Sequence, residues 1–207
     1  NGSFGGTPAS LATEVRSTAQ VLRAYQELGQ QSQPAYTPAL GFLNNDTADQ
    51  ARFLADKIVV NAKAGNNVTA LVNALVAYQN SDGAFGDRAE DDASSVFDTA
   101  FALEALTLAG VTDANVIAPA VGFLMSRQQA SGGWADGDNV PSVYLTAISL
   151  RALWYYRHIY VGVPAALTNG KTFLFSQRDG AGLWGEHFNT ASALLAVIPT
   201  LPDLSSV

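Results

Sequence analysis

Two stretches of the chain repeat one grammar. "YQNSDGAFGD" (78–87) and "RQQASGGWAD" (127–136) each carry Gln, three residues, Gly, one residue and a large ring: Gln79–Gly83–Phe85 and Gln128–Gly132–Trp134. A glycine at a fixed offset reads as a backbone position with positive φ, where a side chain would be strained. Gln offers an amide to orphan backbone groups at a helix end, and the ring can fold back over that end. An internal repeat at this spacing limits the chain to stacked supersecondary units.

The segments between these turns read as helices, because apolar residues recur at helical spacing and no sustained strand alternation occurs. Long Ala/Leu-rich helices are expected over Leu11–Leu28, Asp49–Ala64, Ala93–Ala109 and Ser142–Tyr160. Shorter ones are expected over Tyr36–Leu43, Val68–Tyr78, Asn115–Ser126 and Pro164–Ser176, with a last helix over Phe188–Val197. Pro34, Pro38, Pro119, Pro141 and Pro164 lie near helix starts or boundaries, and Gly29, Gly65 and Gly110 follow long segments as C-terminal caps do. Aligned by their starts, four long helices share Thr-Ala: Thr18-Ala19, Thr99-Ala100, Thr146-Ala147 and Thr190-Ala191. Each has a Leu further on, at Leu22, Leu103, Leu150 and Leu194. "ADQARFLADKIVVNAKAG" is a degenerate fifth copy that lacks the glycine turn before it. The expectation is an all-α chain, residues 1–207 forming one domain of five helical-hairpin repeats.

"FLMSRQQASGGW" (123–134) resembles the QW repeat of squalene–hopene cyclases and their relatives. "ALVAYQNSDGAFG" is a second copy, with Phe85 in place of Trp, and "FLFSQRDGAGLWG" a third, with one extra residue between Gln177 and Gly182. The opening "NGSFGG" looks like the second half of a fourth, whose Gln would precede residue 1; the chain is therefore expected to be part of a larger protein. The resemblance implies the α/α toroid of terpenoid cyclases and protein prenyltransferase β-subunits, a fold also found in complement-type thioester domains and cobalamin carriers. The long Thr-Ala helices would ring a central cavity and the short ones would wrap them. About nine helices imply a partial or open ring, whose end helices need covering by other domains or copies of the parent protein.

The chemistry of those relatives is not matched. Class II cyclases protonate an alkene with the middle acid of Asp-x-Asp-Asp-Thr-Ala. The corresponding stretch is "SVFDTA", where Phe97 stands at the donor position and Ser95 at the first Asp. With no Cys and only His158 and His187, the prenyltransferase zinc set and thioester chemistry are also missing. Helix starts still place polar side chains toward one rim of such a cavity, with partial positive charge behind them. The candidate ligand-binding residues are Glu14, Arg16, Ser95, Asp98, Ser142, Tyr144, Glu186, His187 and Asn189. Glu186 and His187, with Tyr144, are the candidates for acid–base work.

Two acidic loops carry oxygen ligands of the kind that suit Ca²⁺: Asp87, Glu90, Asp91 and Asp92 in one, Asp136 and Asp138 in the other, neither with EF-hand spacing. No other cofactor is indicated. "LWYYRHIY" (153–160) has more rings than one core face can take, so a ring pair there is a candidate surface for sugars or a partner. A net charge of -7 and no basic run exclude phosphate-backbone recognition, hence nucleic acid. No apolar run is long enough to span a membrane. Only three Lys against abundant Asn, Ser, Thr and Gly suggest export, to the cell surface, periplasm or medium. The expected function is a non-catalytic binding or scaffold module, its partner a small molecule or glycan. Left open are an enzyme acting on a terpenoid-like or polysaccharide substrate and a cobalamin-like carrier.

Overall fold

The computed structural model describes residues 2–4, 11–87 and 93–197. It is all-α. The helices are α1 (Leu11–Glu27), α2 (Tyr36–Asn45), α3 (Ala51–Lys63), α4 (Thr69–Val76), α5 (Val96–Leu108), α6 (Ala114–Ser126), α7 (Val143–Trp154), α8 (Val163–Ser176) and α9 (His187–Val197). The odd-numbered helices pack side by side in chain order, and α2, α4, α6 and α8 each back the helix before them. The main core lies between the layers from α3 to α9, and a smaller one, including Leu22, Leu43 and Val60, joins α1, α2 and α3.

The glycine–ring turns explain the alternation. Gly83 and Gly132 have φ of 86° and 91°, so only glycine sits there without strain. A Cβ at Gly83 would strike Pro119 of α6, and one at Gly132 would strike the backbone of Asn169 in α8. Each turn therefore lies directly against the next even-numbered helix. Gln79 Nε2 donates to its own turn at Gly83 O and across to Val116 O of α6, both at 2.8 Å. Gln128 Nε2 does the same with Gly132 O and Ala166 O of α8, again at 2.8 Å. The Trp134 indole donates to Leu124 O at 2.6 Å, satisfying a carbonyl in the last turn of α6.

The repeated Thr completes the unit. Phe85 N–H donates to Thr99 Oγ1 at 2.9 Å, Trp134 N–H to Thr146 Oγ1 at 3.0 Å and Trp184 N–H to Thr190 Oγ1 at 3.0 Å. The half-copy at the start folds likewise, with Phe4 N–H on Thr18 Oγ1 at 2.8 Å and Gly2 against Pro38 of α2. Ser95 and Ser142 then cap α5 and α7 by accepting from Asp98 and Leu145 N–H. Ring, Thr and cap thus tie three consecutive elements.

Three details differ from the sequence reading. In the third turn Arg178, not Gln177, holds the Gln position: Asp179 N–H bonds Leu183 O as Asn80 bonds Ala84 O and Gln129 bonds Gly133 O. Arg178 Nε donates to Gly182 O at 3.1 Å, and its guanidinium covers Gly182 where a following helix lies in the other copies. The degenerate copy is held by a buried cation: Lys57 Nζ donates to Asp46 O at 2.7 Å and Ala48 O at 2.9 Å, and pairs with the Asp46 carboxylate at 3.3 Å. The helix expected to reach Tyr160 ends at Trp154, whose carbonyl is taken by the Arg157 side chain at 2.8 Å. Tyr156 is buried beyond that end, bonded to Thr107, while Tyr155 is exposed.

Trp134→Ala empties a fully buried ring site and should lower the unfolding free energy in urea by about 3–5 kcal/mol. An unchanged midpoint would contradict the tie.

Candidate functional site

The odd-numbered helices line a cavity of about 680 Å³ to which all five contribute. That volume is in the range of small-molecule clefts, about 300–1,000 Å³. Its lining mixes charged, polar and apolar side chains. From α1 and α3 come Arg16, Gln20, Arg23 and Asp56, with Glu27 and Lys63 toward one end. From α7 and α9 come Tyr144, Ile148, Arg151 and Trp154, and Phe188, Ser192, Leu195 and Ala196. Helix α5 supplies Phe101, Glu104 and Leu108.

Most of the cavity's charges are neutralised by partners. Glu104 pairs with Arg23 at 3.0 Å and with Arg151, linking α1, α5 and α7. Burial alone would push the Glu104 carboxyl up, but Arg151 and Arg23 outweigh it and hold it below the usual carboxylate range. Burial acts against the Arg23 charge too, and Glu104 and then Asp56 more than offset it. Lys63 pairs with Glu27. Arg16 donates to Tyr144 Oη at 2.6 Å and lies over the Phe101 ring at 4.8 Å and the Phe97 ring at 5.2 Å.

Asp56 differs. It is almost completely buried, and among the described residues its Oδ2 has no hydrogen-bond partner. Among the described residues no ion pair joins it to a cation, although Arg16, Arg23 and Arg151 all act on it through space. Burial wins over those arginines, and the carboxyl is pushed up to about 6. A buried acceptor left open costs free energy, so this position opposes the stability of the fold.

Of the nine residues expected at a ligand site, Arg16 and Tyr144 line the cavity. Ser95 and Ser142 are helix caps. Asp98 accepts from Ser95 Oγ at 2.7 Å; its Oδ1 is buried without a partner among the described residues, and burial pushes its carboxyl up against the opposing effect of that bond. Glu186 and His187 are exposed at the start of α9, while Glu14 and Asn189 are half-buried; none of these four lines the cavity. The structure does not bring the described loop acids together. Asp136 accepts from Val96 and Phe97 N–H at 2.7 and 3.3 Å, Asp87 binds Arg52, and Asp138 closes a turn on Val140 N–H. Glu90, Asp91 and Asp92 lie outside the described residues. Among the described residues no group of three His, Asp or Glu side chains is placed to hold a metal, and no helix is long and apolar enough to cross a membrane.

Asp56, Arg23, Glu104 and Arg151 were not anticipated, yet a signal exists. Arg16 and Arg23, Phe97 and Glu104, and Tyr144 and Arg151 are each seven residues apart. That spacing puts each pair on one face of its helix.

No protein-family model matches the chain, and no curated protein is similar to it. The chain is similar to a crystal structure of a protein from Actinoplanes, with a TM-score of 0.63 at 20% identity. The similarity covers 82% of this chain and 58% of that one, and at this identity it shows the fold alone.

The Asp56 environment has a measurable sign. Its folded-state value of about 6 lies above the ordinary 3.8, so the folded state holds the proton more tightly. Asp56 favours folding below the ordinary value and loses that contribution as pH rises through about 6. Asp56→Asn should therefore stabilise the protein at pH 8 by up to about 3 kcal/mol. The gain should shrink as pH falls through 6 and vanish near 4, as measured by urea unfolding at each pH. A loss of stability at pH 8 would contradict this.

Proposed function

We propose that this chain is a non-catalytic binding module with an α/α-toroid arrangement, belonging to a larger exported protein, and that the cavity on its odd-numbered helices takes a small molecule. The observation that carries this reading is Asp56, a nearly buried acid at the cavity wall whose Oδ2 is left open at a cost to stability. The resemblance to squalene–hopene cyclases supports the arrangement, while the residue at their proton-donor position is Phe97, a ring packed under Arg16. Among the described residues no base or nucleophile is hydrogen-bonded to Asp56 Oδ2, which favours binding over turnover.

A fragment screen by ligand-observed NMR tests this. Hits should be lost in Ile148→Trp, which fills the cavity, and should be recovered chemically unchanged after prolonged incubation. Hits that persist in that variant, or that are converted, would contradict the reading.

A second surface supports a partner at the C-terminal edge. Phe175, Leu183 and Leu194 are exposed there at 46%, 45% and 43%. We infer that another domain or a second copy covers them. Light scattering should show self-association of the isolated chain, which Leu194→Lys should reduce. A stable monomer at high concentration would contradict a second copy.

A further inference from the structure

We propose that the cavity recognises a neutral polyhydroxylated ring, of mono- to disaccharide size, through a hydroxyl that donates to the Asp56 carboxylate and accepts from Arg16. This deepens the binding reading and rests on it.

The pairing pattern sets the charge of the ligand. Glu104 is taken by Arg23 and Arg151, and Lys63 by Glu27. Arg16 and Asp56 remain as opposite charges that act on each other without an ion pair between them. A cationic ligand at Asp56 would also face the arginines, and an anionic one at Arg16 would also face Asp56. A hydroxyl suits both, since it donates through its proton and accepts through its lone pairs. Tyr144 Oη and the ring of Phe101 already hold the Arg16 guanidinium in place, so little freedom is lost on binding.

The rest of the cavity favours a ring with several hydroxyls over a simple alcohol. Gln20 on α1 and Ser192 on α9 add polar groups to the lining. Tyr144 and Phe188, packed together with ring centroids 5.0 Å apart, both line the cavity and add apolar surface for the C–H groups of a sugar. Keeping Asp56 ionised near neutral pH opposes folding, a cost that a purely structural residue would not need.

The decisive experiment titrates the chain with cellobiose, maltose and lactose, and in parallel with glucuronate and n-decanol. Binding is read by calorimetry and by tryptophan fluorescence, with Trp154→Phe assigning the signal to the cavity. At least one neutral disaccharide should bind, and Asp56→Asn should weaken it by about tenfold while the circular dichroism spectrum is kept. Because that variant is expected to be the more stable one at neutral pH, its loss of affinity cannot be put down to unfolding. Unchanged affinity in Asp56→Asn would overturn the proposal and leave only an ordered water between Asp56 and Arg16. Preference for glucuronate, or binding of decanol alone, would overturn the ligand class but keep the binding cavity. Silence with every probe would overturn both.

Discussion

The hydrogen bond from a turn's backbone N–H to the hydroxyl of the helix's Thr orders this molecule. It occurs on Thr18, Thr99, Thr146 and Thr190, each time from the ring residue of the preceding turn. It fixes where each of those helices starts relative to the turn. The glycine two residues earlier rests that turn on the next even-numbered helix, or, in the last copy, under Arg178. One short unit therefore sets both layers. Because the starts are set alike, residues two helical turns apart face the same way on successive helices, and Arg16, Arg23, Glu104, Tyr144 and Arg151 meet in one space.

The frame surrounds a polar interior. Trp134 and Phe85 are wholly buried and carry much of the packing between layers. Against that background the cavity holds an ion network on Glu104 and an open acceptor on Asp56. Buried ion networks seldom add to stability, because desolvation offsets attraction, though breaking one is costly. Their presence here reads as a means of positioning Arg23 and Arg151 around a space, with Arg16 set by Tyr144 and the neighbouring rings.

The fold was legible because its signals are local and repeat. Glycine at a fixed offset, Thr-Ala at aligned starts and helical periodicity all pointed to nine alternating helices, and the described residues contain them. The end of α7 was misplaced because Arg157 captures the Trp154 carbonyl, a contact that periodicity does not register. The third turn was misaligned because Gln177 matched the motif by type while Arg178 matched it by register. The site was legible only in part. Arg16 and Tyr144 were found by their place near helix starts, but the same rule also selected Ser95 and Ser142, which are caps. Asp56 was missed because its helix is the copy without a glycine turn, so no aligned start marked which face of α3 looks inward.

Amide hydrogen exchange at Trp134 tests the ordering bond most directly. In the native chain this single N–H should exchange at the rate of the helical core, although it sits in a turn, since its acceptor Thr146 is fully buried. Thr146→Val keeps the shape and removes the acceptor. It should speed exchange at Trp134 and lower stability by about 1–3 kcal/mol, the cost of an open buried donor. Fast exchange in the native chain, or a variant with unchanged exchange and stability, would contradict the account.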